Sequence, residues 1–185
     1  GDMVDIPMNY DVYGFGPTTP EYSYALTAKE FIREQGFKGR IVIGGPHATL
    51  LSKQCLDDGF DCVVEQDGEL ATYEAFYGDT KGTIFKGFEA DLDNYPPIDY
   101  SLVDLSKYKY LLNGRPATTM ITSRGCPFKC AFCYKNYTKI RYKSVPSVKE
   151  EIHNICINFG YDALVFPEDI FILNKERTEK IIWYL

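Results

Sequence analysis

Strand-like and helix-like runs alternate along the first half of this 185-residue chain, and that alternation limits the fold more than any other feature. Residues 11–16 read as a short buried strand ending in glycine. Thr19 follows as a helix N-cap, with Pro20 at the first helical position and Glu21 in the first turn. Tyr24, Ala25, Ala28, Phe31 and Ile32 recur at helical spacing, and Gly36 is a natural stop. Residues 40–45 form the next strand, again closing on glycine. A helix is predicted over 51–58 and a third strand over 61–64. Leu70, Tyr73, Phe76 and Tyr77 mark a further helix. Strands separated by helices imply right-handed parallel crossovers, so this half is an α/β layer.

Past Gly78 the pattern weakens. Residues 83–86, between Gly82 and Gly87, suit a small extra strand, and residues 92–99 carry Pro96, Pro97 and several acids, as a linker does. The alternation restarts with a strand over 117–122. Ser147 and Glu150 form a capping box ahead of the stripe Val148, Ile152, Ile155, Cys156 and Phe159, which Gly160 ends. Residues 163–166 are a second strand, and Asn174 caps a last helix running to Leu185. Two regions result, 1–90 and 117–185, joined by a linker over 91–116.

Composition narrows the function. Apolar residues make up 45% and charged residues 25%, the balance of a globular protein, and 15 tyrosines with 12 phenylalanines supply a sizeable core. No apolar run is long enough to span a membrane. Residues 1–10 carry acids rather than a basic stretch followed by an apolar one, so no secretory signal is expected. A net charge of −6 and a pI near 5.0 argue against a nucleic-acid surface built from basic patches. The six cysteines are therefore expected to be reduced thiols or metal ligands, not a disulfide frame.

The strongest chemical signal is Ser123-Arg-Gly-Cys126-Pro-Phe-Lys-Cys130-Ala-Phe-Cys133, a C-x3-C-x2-C run just past a strand. Thiolates are the usual ligands of iron–sulfur clusters. Three of them hold three corners of a cubic four-iron cluster and leave the fourth iron open to a substrate or cofactor. Gly125 lets the chain turn sharply after the strand. A structural zinc site needs four ligands, usually two pairs, and Cys55, Cys62 and Cys156 supply no second pair. They suit core positions instead. A thioredoxin-like pair, Cys130 and Cys133, leaves Cys126 and the preceding strand unexplained.

The cysteine run, with Phe132 just before its last cysteine, resembles the radical S-adenosylmethionine superfamily. That resemblance implies a 4Fe-4S cluster on Cys126, Cys130 and Cys133, with Phe132 beside S-adenosylmethionine. The amino and carboxylate groups of S-adenosylmethionine chelate the open iron in that family. An electron from the cluster splits its sulfur–carbon bond, and a 5′-deoxyadenosyl radical then abstracts substrate hydrogen. The stretches 142–152 and 165–174 resemble the first βαβα portion of a subgroup with a cobalamin-binding-type domain ahead of the radical domain. By that pattern Glu168 or Asp169 receives the S-adenosylmethionine amino group, as a charge-assisted contact; the bland reading is that the pair caps a helix or faces solvent.

The front half is similar to the same subgroup. Gly44 and Gly45 match a glycine pair after a cobalamin-domain strand, and residues 15–20, with Thr18 and Thr19, match the end of the strand before it. These four are the candidate cobalamin contacts. His47 is read as a loop or packing residue, since the Asp-x-His-x-x-Gly loop that supplies a cobalt ligand is missing, and His153 as solvated. The resemblance is greatest to relatives of the anaerobic magnesium-protoporphyrin ester cyclase. It implies an incomplete Rossmann-like parallel sheet followed by the first βα units of a partial TIM barrel, and so a central fragment. The expected parent is a cytoplasmic radical enzyme for methylation, cyclisation or rearrangement of a small molecule, reduced by flavodoxin or ferredoxin. The fragment alone is expected to be catalytically incomplete and prone to self-association. Two alternatives stay open: a radical enzyme whose front domain is a scaffold without cobalamin, and a non-enzymatic iron–sulfur or zinc protein. No catalytic residue is assigned by the sequence.

Overall fold

A computed structural model describes residues 6–88, 91–134 and 139–185. The chain divides into two compact units, Gly1–Glu89 and Ala90–Leu185. Ala90, at the expected edge of the first region, lies outside the described residues.

In the first unit, β1 (Val12–Phe15), β2 (Arg40–Ile43), β3 (Cys62–Gln66) and β4 (Thr83–Gly87) form one parallel sheet in the order β1-β2-β3-β4. Tyr13 lies opposite Ile41, Val42 opposite Cys62, and Val64 opposite Phe85. Successive strand side chains point to opposite faces. Ile41, Ile43 and Val63 therefore share one face with Tyr22, Ala25 and Ile32 of α1 (Tyr22–Glu34), Ala48 of α2 (Gly45–Leu50) and Cys55 of α3 (Ser52–Asp57). Val42, Cys62 and Val64 take the other face, under Ala71 and Ala75 of α4 (Gly68–Tyr77). The unit is a Rossmann-like α/β layer.

The uniform handedness expected of its crossovers does not hold. Each step along the sheet runs the same way, yet α4 covers the face opposite α1, α2 and α3. The β3–α4–β4 connection therefore has the opposite hand to the first two. The apolar pattern supplies the reason. Val42, Cys62 and Val64 form a second apolar face that water would otherwise meet, and small Ala71 and Ala75 let α4 pack closely on it.

Element starts also shift. The first helical turn is capped by Thr18, not Thr19, in a closed capping box with Glu21. Residues 45–50 are already helical, where the helix was expected from 51. Residues 83–87 are a full sheet strand, paired along five positions with β3.

In the second unit, β5 (Leu111–Leu112) runs antiparallel to β6 (Arg115–Thr119). Asn113 and Gly114 between them both have positive φ, as a tight two-residue hairpin needs. A second short antiparallel pair joins β7 (Ser123–Arg124) to β8 (Arg141–Tyr142). The helix α5 (Val145–Phe159) leads to β9 (Ala163–Val165), which pairs parallel with β6, Ala117 opposite Ala163. The cap of α5 is Ser144, whose side chain accepts the Ser147 N–H, so the predicted capping box at Ser147 and Glu150 is not used. Pro146 explains the earlier start, because its fixed φ suits a first helical turn. Asn174 caps α6 (Lys175–Ile182) as expected. Met120, Val148, Ile152, Ile155, Tyr161 and Ile181 form the core. Among the described residues no helix is long and apolar enough to cross a membrane.

Candidate functional site

The cysteine loop leaves the sheet of the second unit where β6 ends. Met120 still bonds to the Val165 carbonyl of β9, Thr122 and Ser123 are buried, and Gly125 then turns at φ +92°. That left-handed backbone suits glycine, and it throws the chain outward. Cys126 is half-buried, and Cys130 and Cys133 are exposed. The Cys133 N–H donates to the Cys130 carbonyl at 3.1 Å, so these two share one turn. The Cys133 thiol donates to the Tyr134 carbonyl. Among the described residues no three His, Cys, Asp or Glu side chains gather closely enough to hold a metal ion. The donor set nevertheless suits a cluster: three thiols lie within eight residues of one loop, two of them exposed on a shared turn, and ligand geometry is completed by metal in such sites. Burial pushes the thiols of Cys55, Cys62 and Cys156 up, which keeps them protonated. Phe132 is 93% exposed.

The acidic pair arrives at the same end of the sheet, from the loop after β9. Glu168 turns inward. Its Oε1 accepts the N–H groups of Thr122 and, at 3.1 Å, Ser123, and its Oε2 accepts the Ser123 hydroxyl. Asp169 is exposed. Arg177 of α6 closes the other side. Its Nη2 donates to the Thr122 carbonyl at 2.9 Å and to the Lys143 carbonyl at 3.2 Å, and its guanidinium lies 4.8 Å from the Tyr142 ring centre. Burial lowers its pKa, while Glu168 opposes that change. A cavity of about 640 Å³ beside α5, lined by Asp93, Lys143, Glu151 and His153 among others, contains none of the predicted site residues.

In the first unit, Thr18 and Thr19 follow β1 while Gly44 and Gly45 follow β2, so adjacent parallel strands bring all four to one end of the sheet. Each has a local duty. Thr18 caps its own turn. The Thr19 hydroxyl lies 3.2 Å from His47 Nδ1. The Gly44 N–H donates to the Phe15 carbonyl at 2.8 Å. Gly45 has φ +81°, and a Cβ there would lie 3.1 Å from the Gly16 backbone. His47 is buried, stacked on Tyr22 at 3.8 Å. His153 is exposed.

The chain is similar to named methyltransferases. It is 30% identical to an uncharacterized methyltransferase of Pyrococcus horikoshii over 91% of its own length. It is 24% identical, over 77% of its length, to the bacteriochlorophyllide d C-8(2)-methyltransferase of Chlorobaculum tepidum. It is 26% identical, over 90% of its length, to the anaerobic magnesium-protoporphyrin IX monomethyl ester cyclase of Rubrivivax gelatinosus. The chain spans 41%, 32% and 34% of those three proteins. No protein-family model matches it.

Sequence reading missed Arg177 and Ser123 as members of this site. One signal was available for the arginine. A cation in the first turn of a helix opposes the helix dipole, so Arg177 does nothing for α6 by its charge.

Proposed function

We propose that the chain carries the cluster-binding start of a radical S-adenosylmethionine enzyme that methylates or cyclises a small molecule. The observation that carries this reading is the cysteine loop: three thiols spaced C-x3-C-x2-C, rising from the end of a parallel strand beside an acidic pair. Similarity to two methyltransferases and a cyclase supports the reaction class. Cys126, Cys130 and Cys133 are the residues that would hold a four-iron cluster. When bound, it supplies the electron that splits S-adenosylmethionine. Asp169, exposed after β9, offers a carboxylate to a ligand amine. Phe132 offers an exposed ring to an adenine or sulfonium. A flavodoxin or ferredoxin is the class of protein that would reduce it.

Anaerobic loading with iron and sulfide tests the reading. Roughly four irons per chain are expected, lost when Cys126, Cys130 and Cys133 are changed together to alanine. Replacement of Cys55, Cys62 and Cys156 should leave the iron in place. Iron content untouched by the loop changes would refute the assignment.

For the first unit the scaffold reading is favoured over cobalamin binding. The observation is that Thr18 caps its own turn, while Thr19 and Gly45 pack the loops after β1 and β2 against each other. The absorbance spectrum of the chain mixed with cobalamin tests this. An unshifted spectrum is expected, and a shifted corrin band would restore the cofactor role.

A further inference from the structure

Two charged side chains grip the same stretch of backbone from opposite sides, and neither serves the element that carries it. Glu168 lies in the loop after β9, outside any helix start it could cap. Its carboxylate takes the N–H groups of Thr122 and Ser123 and the Ser123 hydroxyl. Arg177 sits in the first turn of α6, where its charge opposes the helix dipole. It is only 7% exposed, and its Nη1 has no hydrogen-bond partner. A buried guanidinium in that place is costly unless its remaining contacts repay it. Those contacts go to the Thr122 and Lys143 carbonyls, through Nη2 and, at 3.4 Å to Lys143, Nε. The Lys143 N–H donates to the same Thr122 carbonyl at 2.9 Å.

The signs match the peptide dipoles. The carboxylate meets the N–H groups of residues 122 and 123, and the guanidinium meets the C=O of residue 122. Hydrogen bonds to charged groups are about twice as strong as neutral ones. The gripped residues are the last buried ones before Gly125 turns the chain out towards Cys126.

We infer that Glu168 and Arg177 are positioning residues that brace Thr122 and Ser123 and so fix where the cysteine loop leaves the sheet. The inference rests on the cluster reading of the loop, and it divides the acidic pair: Glu168 holds the protein, and Asp169 remains for a ligand. A loop whose root is held loses less freedom when its thiols converge on a metal. The brace therefore acts on metal affinity through the backbone, without touching the metal.

The test uses cobalt(II) as the probe with the metal-free 185-residue chain, read by the thiolate-to-cobalt absorption band, together with hydrogen exchange at the Thr122 and Ser123 amides. Glu168→Ala and Arg177→Met are expected to weaken cobalt binding by about tenfold and to speed exchange at both amides. Glu168→Gln, which keeps an acceptor for the amides, should recover most of the affinity. Ile155→Val, a core change in the same unit, lowers stability without touching the brace and should leave cobalt affinity alone. If Glu168→Ala fails to fold, Arg177→Lys carries the expectation at about threefold, because it keeps the charge and loses the fork.

Equal cobalt affinity in the brace variants and the parent overturns the inference, as does an equal loss in Ile155→Val. If no chain shows the thiolate band, the cluster reading fails on its own, and amide exchange still decides the brace. Unchanged protection of both amides in folded Glu168→Ala and Arg177→Met, or in Arg177→Lys where Glu168→Ala does not fold, then overturns it.

Discussion

Gly45 and His47 lie two residues apart at the end of β2, and they bear different strains. Gly45 occupies the left-handed region, with the Gly16 backbone where a side chain would go. Gly44 has φ −138°, and a Cβ there would meet Val64 at an ordinary 3.5 Å. Gly45→Ala is therefore expected to cost about 1–3 kcal/mol in urea unfolding, and Gly44→Ala clearly less. Equal losses would mean that the backbone at Gly45 is not held as described. His47 is a titration problem. Burial lowers its pKa, and the Asp58 carboxylate opposes the change. Its folded value lies below its unfolded one, so the unfolded chain binds the extra proton as pH falls. Stability should drop below about pH 6.5 and level off once the folded group also titrates. His47→Gln should flatten that slope between about pH 7 and about pH 5, measured as the difference in unfolding free energy from the parent. An unchanged slope would show that His47 is protonated as readily in the folded chain.

At the scale of elements, the helices are held by groups that sequence pattern places only to within a few residues. Ser144 caps α5 through the Ser147 N–H, whereas Glu150 is exposed and bonds to no cap. Ser144→Ala should lower the stability of the second unit by about 1 kcal/mol. Glu150→Gln should stay within about 0.5 kcal/mol, where a working capping box would require more. Thermal unfolding of the two variants decides between the caps. The strands of the first sheet were legible because Ile41, Val42, Ile43 and Cys62, Val63, Val64 are apolar on both faces, as buried parallel strands must be. The opposite hand of the last crossover was not legible. It depends on which face α4 covers, and Leu70, Tyr73 and Tyr77 suggested an apolar stripe that is in fact exposed. Ala71 and Ala75 make the contact instead. The hairpin at Asn113 and Gly114 had a plain signal in its residue pair, which the weak pattern around it masked. The pairing of β7 with β8 had none, because it joins two-residue strands far apart in sequence.

Across the whole molecule, the candidate chemistry has a sequence signal where it is written in contiguous residues and none where it depends on contacts. Cys126, Cys130 and Cys133 announce themselves by spacing. The brace of Glu168, Ser123 and Arg177 joins residues 45 to 55 positions apart and leaves no local pattern. The central claim is that three loop thiols hold a four-iron cluster with one iron open to S-adenosylmethionine. Electron spin resonance of the reduced, iron-loaded chain tests it most directly, recorded before and after S-adenosylmethionine is added. The account predicts a four-iron signal whose shape changes on addition and which disappears when Cys126, Cys130 and Cys133 are replaced together. A signal that persists without those three cysteines would contradict it.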